Sequence, residues 1–234
     1  MGRAFEFRKA RKMKRWSEMA KTFTRIGKDI VMAVKESGSS PESNSKLRAV
    51  IQNAKAANMP KDNIERAIKR ASDKSTGNFK EILFEGYGPS GIAIIVETAS
   101  DNNNRTVANV RSYFNKYSGN LGTAGSVEFM FDRVCSFKIK TEINLEELEL
   151  NLIDFGVDEV LKEDDVLILY SPFENYGQIQ KELERQKIEI ISSEFERIPK
   201  QMKKLSEEKK EEVNILIEKI EEDDDVQNVF HSMN

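Results

Sequence analysis

Ile82-Leu83-Phe84-Glu85-Gly86-Tyr87-Gly88-Pro89-Ser90-Gly91-Ile92-Ala93-Ile94-Ile95-Val96-Glu97-Thr98 admits two incompatible readings, and the choice between them decides the fold. Residues 86–91 satisfy the dinucleotide-binding pattern G-x-G-x-x-G, which works only where a helix N-terminus follows to receive the pyrophosphate. Here residues 92–96 are mostly β-branched and strand-like, and Ser112 stands near the place, about twenty positions on, where an acidic ribose ligand belongs. The stretch therefore predicts strands over 82–87 and 92–98, joined by the turn residues Gly88, Pro89, Ser90 and Gly91.

Downstream, residues 101–104 form an Asx-rich helix start, and Val107, Val110 and Phe114 mark the apolar side of a helix running through Tyr117. A glycine-rich segment, 119–125, then introduces a third strand at 127–131, which makes a β-β-α-β unit. From Val134 the pattern reads strand 136–140, helix 145–154, strands 157–161 and 166–170, helix 174–186 and strand 190–197. That order is the one of a ferredoxin-like sandwich. A last helix carrying Val213, Leu216, Ile217 and Ile220, with a strand at 226–231, is left over and completes the unit left open at Phe131.

Upstream the period changes from two to about 3.6. Met19, Phe23, Ile26, Ile30 and Val34 form one stripe on a helix ending near Gly38, Leu47, Val50, Ile51 and Ala54 a second, and Ile64, Ala67, Ile68 and Ala71 a third, which opens at Pro60. Before them residues 1–16 read as a mobile basic arm or a helix ordered by its partner, and residues 74–78 read as a linker. The expected fold class is α+β and multidomain: an N-terminal three-helix bundle with a basic arm, then two α/β sandwich domains, the last ferredoxin-like and inserted in the middle one. The expected boundaries are 1–76, then 77–133 with 203–234, and 134–202 within.

Composition narrows the function. The 234 residues are 38% hydrophobic and 33% charged, and the longest uncharged apolar stretch, 91–96, falls far short of a membrane span. A lone Cys135 forms no internal disulfide, and a lone His231 builds no zinc site, so a reducing, cytoplasmic setting without metal or cofactor is expected. An organelle presequence is the competing reading of the basic start, opposed by Glu6, Glu18 and Asp29. Neither Cys135 nor His231 has a catalytic neighbour in sequence, and no enzyme activity or small-molecule substrate is expected. The run Glu221-Glu222-Asp223-Asp224-Asp225 lacks the spacing of a calcium loop and reads as a solvated helix end.

The net charge of −3 hides a segregation. Residues 1–74 hold 19 Lys/Arg against 8 Asp/Glu, whereas residues 75–234 hold 18 against 32. Such asymmetry points to a polyanion partner for the basic part. The candidate nucleic-acid-binding residues are Arg3, Arg8, Lys9, Arg11, Lys12, Lys14 and Arg15 in the arm, and Lys21, Arg25 and Lys28 beyond it. Arg48 and Lys55 lie on the second helix, and Lys61, Arg66, Lys69 and Arg70 on the third. Phe5, Phe7 and Trp16 offer stacking faces. No base-reading motif accompanies them, so duplex DNA and ribosomal RNA remain equal candidates on charge alone.

Several segments resemble the YebC/PmpR family: Asn58-Met59-Pro60-Lys61-Asp62-Asn63-Ile64-Glu65-Arg66-Ala67-Ile68-Lys69-Arg70, Glu85-Gly86-Tyr87-Gly88-Pro89, Asp101 with Arg105-Thr106-Val107, Gly119-Asn120-Leu121-Gly122 with Gly125-Ser126-Val127, and Asp224-Asp225-Val226-Gln227-Asn228-Val229. The resemblance implies three domains and a nucleic-acid surface on the helical one. It also implies a regulator of gene expression, mostly described as a DNA-binding transcriptional regulator. Other members resemble translation factors, including a mitochondrial translational activator of cytochrome c oxidase and bacterial proteins acting on the ribosome at proline-rich stretches. The start departs from the commoner His-Ser-Lys-Trp element and is similar to a subgroup beginning Gly-Arg-Ala-Phe-Glu, and Ser39 and Ser45 stand where Gly and Pro are usual.

Overall fold

The computed structural model describes residues 3–73 and 77–234, with side chains from Met19 onward, and divides the chain into two units, Met1–Phe79 and Lys80–Asn234. Most of the expected 74–78 linker lies outside the described residues.

In the first unit, helices α1 (Arg3–Ser37), α2 (Ser45–Ala56) and α3 (Lys61–Ala71) follow one another, with Pro60 as the N-cap of α3. Of the two forms expected for residues 1–16, the described backbone from Arg3 onward takes the helical one and belongs to α1, one continuous helix of 35 residues. No helix breaker stands between the arm and the first apolar stripe, so backbone hydrogen bonding has no reason to stop there. The stripe itself fades toward the N-terminus. Ile26, Ile30 and Val34 are buried with Leu47, Ala54, Met59 and Ile64, while Met19 is 36% exposed. Asn44 joins α1 to α2. Its side-chain Oδ1 accepts from Leu47 N (2.9 Å), and its side-chain Nδ2 donates to the carbonyls of Ala33 and Gly38 (both 2.8 Å), which ties the end of α1 to the start of α2. Gly38 supplies the left-handed residue that ends α1, at φ 88°.

The second unit opens with the hairpin. Strand β1 (Lys80–Tyr87) pairs antiparallel with β2 (Ala93–Ser100), and Tyr87 lies opposite Ala93. A single 3-10 turn over Pro89–Gly91 connects them, with Ser90 at φ 60° and Gly91 at φ 70°. Helix α4 (Asn103–Lys116) is capped by Asn102, whose side chain accepts from Arg105 N at 3.1 Å. The third strand is where expectation and structure part. It is β3, the two residues Asn120–Leu121, and it pairs with Gly86 and Tyr87. A Cβ at Gly86 would stand 2.6 Å from Asn120 O, so only glycine lets β3 approach.

Residues 127–131, expected as that strand, instead contain a 3-10 turn over Glu128–Met130, and Phe131 begins the next strand, β4 (Phe131–Lys140). The cause is Glu85. Its buried carboxylate accepts from Gly125 N (2.6 Å), Val127 N (2.8 Å) and Glu128 N (2.7 Å), so these donors face a side chain rather than a neighbouring strand. Burial by itself raises the Glu85 pKa, but the three backbone bonds and the charge of Arg197 outweigh it and hold the group below its ordinary value. A depressed folded pKa means stability that is full above the unfolded carboxyl pKa and is lost as pH falls through the folded one. Glu85→Gln is therefore expected to cost about 1–3 kcal/mol at neutral pH and to flatten the acid limb of a urea-midpoint-versus-pH curve. An unchanged acid limb would contradict this account.

Helix α7 (Glu207–Glu221) and strand β8 (Val226–His231) complete the first sheet, whose order is β3-β1-β2-β8. Phe84, Ile94 and Val96 bury against Val110 and Phe114 of α4 and Val213, Leu216 and Ile220 of α7. On the other side Ala93 and Ile95 meet Val127 and Phe131, which explains the unbroken apolar run of β2: the strand is buried on both faces.

The second sheet runs β5 (Glu159–Glu163), β6 (Val166–Pro172), β4, β7 (Glu189–Pro199), every neighbour antiparallel. With helices α5 (Leu145–Leu152) and α6 (Tyr176–Arg185) this is the ferredoxin-like order, as the sequence pattern predicts. Leu148 and Leu152 of α5 and Ile179 and Leu183 of α6 cover Cys135, Phe137, Ile139 and Leu169 on one face of the sheet.

Candidate nucleic-acid interface

The helices of the first unit present the expected cations in three different states. Arg3, Arg8, Lys9, Arg11, Lys12, Lys14 and Arg15 fall within the first half of α1, and their side chains lie outside the described ones. Lys55, Lys61, Arg66, Lys69 and Arg70 are exposed on α2 and α3. The remainder serve the fold to differing degrees. Lys28 is 9% exposed, with its ammonium 5.2 Å from the centre of the Phe79 ring. Arg48 Nη1 donates to the carbonyls of Pro41 (2.8 Å) and Glu42 (3.0 Å), bracing the loop between α1 and α2. Lys21 and Arg25 are half-buried on α1.

On α3 the steps of three and four place Arg66, Lys69 and Arg70 along one exposed side, as the spacing predicts. That side is not purely cationic, because Asp62 and Glu65 line a shallow concavity with Arg66 and Lys69. Arg66 Nε donates to Asp62 O at 3.1 Å, and its Nη2 donates to Asn63 Oδ1. Lys61 lies 3.5 Å from Glu65, a solvent-exposed pair that adds little stability and leaves the ammonium available to a stronger anion. Exposed ammonium and guanidinium groups spaced in this way can make point-charge contacts with an anion such as phosphate.

The acidic run expected as a solvated helix end has another role. Asp225 is 4% exposed and accepts from the hydroxyls of Ser100 (3.0 Å) and Thr106 (2.9 Å) and from Arg105 Nη2 (2.8 Å). Asp223 accepts from Asn109 Nδ2 (2.9 Å) and from the Tyr113 hydroxyl (3.0 Å). Burial first, then this carboxylate, push the Tyr113 phenol up to about 12. Two of the five carboxylates thus lock the end of α7 to α4. The motif residues Asp101, Arg105 and Thr106 mark one end of this lock, and Asp225 marks the other.

Among the described residues, no three His, Cys, Asp or Glu side chains come together as a metal site, and no helix is long and apolar enough to cross a membrane. Burial pushes the Cys135 thiol up to about 11. Ellman's reagent at pH 8 should accordingly react with the folded chain at least about a hundredfold more slowly than with the chain in guanidinium. Equal rates would mean that the thiol is accessible and ionised after all.

Residues 3–74 match the family model described as "TACO1/YebC protein N-terminal domain", and residues 79–233 match "TACO1/YebC second and third domain". The chain belongs to the TACO1/YebC family. Its relatives within that family span its whole length. A protein of Flavobacterium johnsoniae named "Probable transcriptional regulatory protein" is 70% identical over 234 residues, covering 100% of this chain and 99% of the relative. A protein of the same name from Myxococcus xanthus is 52% identical over 239 residues, covering 100% of this chain and 100% of the relative. The crystal structure of a conserved hypothetical protein from Aquifex aeolicus superposes with a TM-score of 0.76 at 35% identity, over 92% of this chain and 90% of that one. The α+β, multidomain architecture of this TACO1/YebC chain is therefore shared with a solved structure.

Proposed function

We propose that this chain is a cytoplasmic, non-enzymatic regulator of transcription that binds duplex DNA through residues 1–74. The observation that carries the reading is the segregation of charge, 19 cations against 8 anions in that part, on a unit whose described face presents Lys55, Lys69 and Arg70 to solvent. Phosphate contact accounts for such an excess, whereas solvation alone leaves it without a role. The names of the full-length relatives support transcription as the process. Exposed Lys61, Lys69 and Arg70, with the cations of α1, position the phosphate backbone, and Lys28 and Arg48 hold the helices that carry them. The strand orders of the two sheets favour a middle domain of 77–133 with 203–234 and an inserted domain of 134–202, which together carry the acidic part of the chain.

The test is fluorescence anisotropy on a DNA duplex of about 30 base pairs. Affinity should fall at least about a thousandfold between about 50 and 200 mM KCl, as expected for six or more phosphate contacts. Affinity independent of salt would overturn the electrostatic reading.

A further inference from the structure

The sheet of the ferredoxin-like part is covered by α5 and α6 on one face only. Alternation along its strands turns Tyr170, Ile168 and Leu161 to the opposite face, and the register sets Leu161 beside Ile168. None of the three belongs to a described core cluster, and Leu161 is 43% exposed. Carboxylates frame this apolar row. Glu159 lies opposite Tyr170 on β5, Glu163 ends the same strand, and Glu194 and Glu196 lie opposite Ser136 and Val134 on β7. Burial first, then these four charges, raise the Tyr170 pKa, which places all four within electrostatic reach of one ring. Lys138 stands among them, 3.5 Å from Glu163, and Ser136 Oγ donates to Glu196 at 2.8 Å. The face carries one ring, Tyr170, half-buried beside the exposed Leu161, and its carboxylates repel phosphate. Its occupant must be cationic and partly apolar.

We propose that this face is the docking site for residues 3–16 of a second copy of the chain. That segment carries seven Lys/Arg against Glu6, interleaved with Phe5, Phe7, Met13 and Trp16, on the helical backbone of α1. Its fourteen residues span about 21 Å as a helix, against about 23 Å for the seven residues of β6. Cations meeting the four carboxylates and apolar side chains covering the Leu161–Ile168–Tyr170 row satisfy both features of the face. If each copy's segment docks on the other's face, the assembly is a two-fold dimer. The same cations cannot pair with a polyanion at the same time, so self-association and polyanion binding exclude each other. The inference does not rest on the DNA reading, since the dimer is measured without nucleic acid.

Sedimentation equilibrium of the full chain tests it. At about 50 mM salt the chain should dimerise in the micromolar range, and association should weaken at least about tenfold at about 500 mM. Glu159→Lys with Glu194→Lys, two exposed positions, should abolish the dimer with an unchanged circular dichroism spectrum. Mixing that variant with an Arg8→Glu, Arg11→Glu chain should restore association between the two. A chain that stays monomeric at about 100 μM in low salt would overturn the proposal, as would a dimer indifferent to the Glu159/Glu194 change or a charge swap that fails to restore it.

Discussion

Replacing Arg3, Arg8, Lys9, Arg11, Lys12, Lys14 and Arg15 together by Gln is expected to reduce the slope of log affinity against log salt on duplex DNA by up to about six, because each neutralised phosphate contact contributes about 0.9. At about 150 mM salt that corresponds to a loss of affinity of at least about a hundredfold. Glutamine is a good helix former, so α1 persists, and its bundle-facing residues from Phe23 to Val34 lie beyond the substituted stretch. The control is Arg48→Gln. Its guanidinium braces the Pro41–Glu42 loop, so this change should lower the melting temperature while leaving the salt slope nearly intact. If the sevenfold variant kept the parental slope, the phosphate contacts would have to lie beyond the first half of α1.

Asp225→Ala should be the most damaging single substitution in the second unit. It strands the Ser100 hydroxyl, 0% exposed, without its acceptor, takes the charged acceptor from the buried Thr106 hydroxyl, which keeps only the Asn102 carbonyl, and leaves Arg105 without its closest carboxylate. Two buried donors losing a charged acceptor cost roughly 3 kcal/mol, a large part of the stability of an ordinary domain. Urea denaturation should show a fall in midpoint at an unchanged slope. Asp224→Ala, one residue away, is exposed and should cost far less. Similar costs for the two would mean that charge at the end of α7, rather than the buried lock, sets stability there.

The parts of this fold that rest on period and turn chemistry are legible without coordinates. Hydrophobic spacing of three and four marks α1 to α3, the strand-like residues after Gly91 turn a nucleotide motif into a hairpin, and the β-α-β-β-α-β order leads to the second sheet. What fails depends on long-range pairing. Residues 127–131 carry strand-forming residues, but Glu85, some forty positions earlier, takes their backbone donors. The real third strand is two residues long and depends on the missing Cβ of Gly86, which no local pattern announces. Asp223 and Asp225 look like solvated charge because their partners on α4 lie more than 100 residues upstream. On the candidate interface, composition identifies the basic unit, but only packing separates Lys28 and Arg48, held by Phe79 and by loop carbonyls, from Lys55, Lys69 and Arg70 on the surface.

The most direct test of the central claim is crosslinking in living cells, with sequencing of the nucleic acid recovered with the tagged full chain and, in parallel, with the chain neutralised at the seven cations from Arg3 to Arg15. Discrete promoter DNA, recovered with the parent and lost with the neutralised chain, is the predicted result. Enrichment of large-subunit ribosomal RNA, or enrichment that survives neutralisation, would contradict the account.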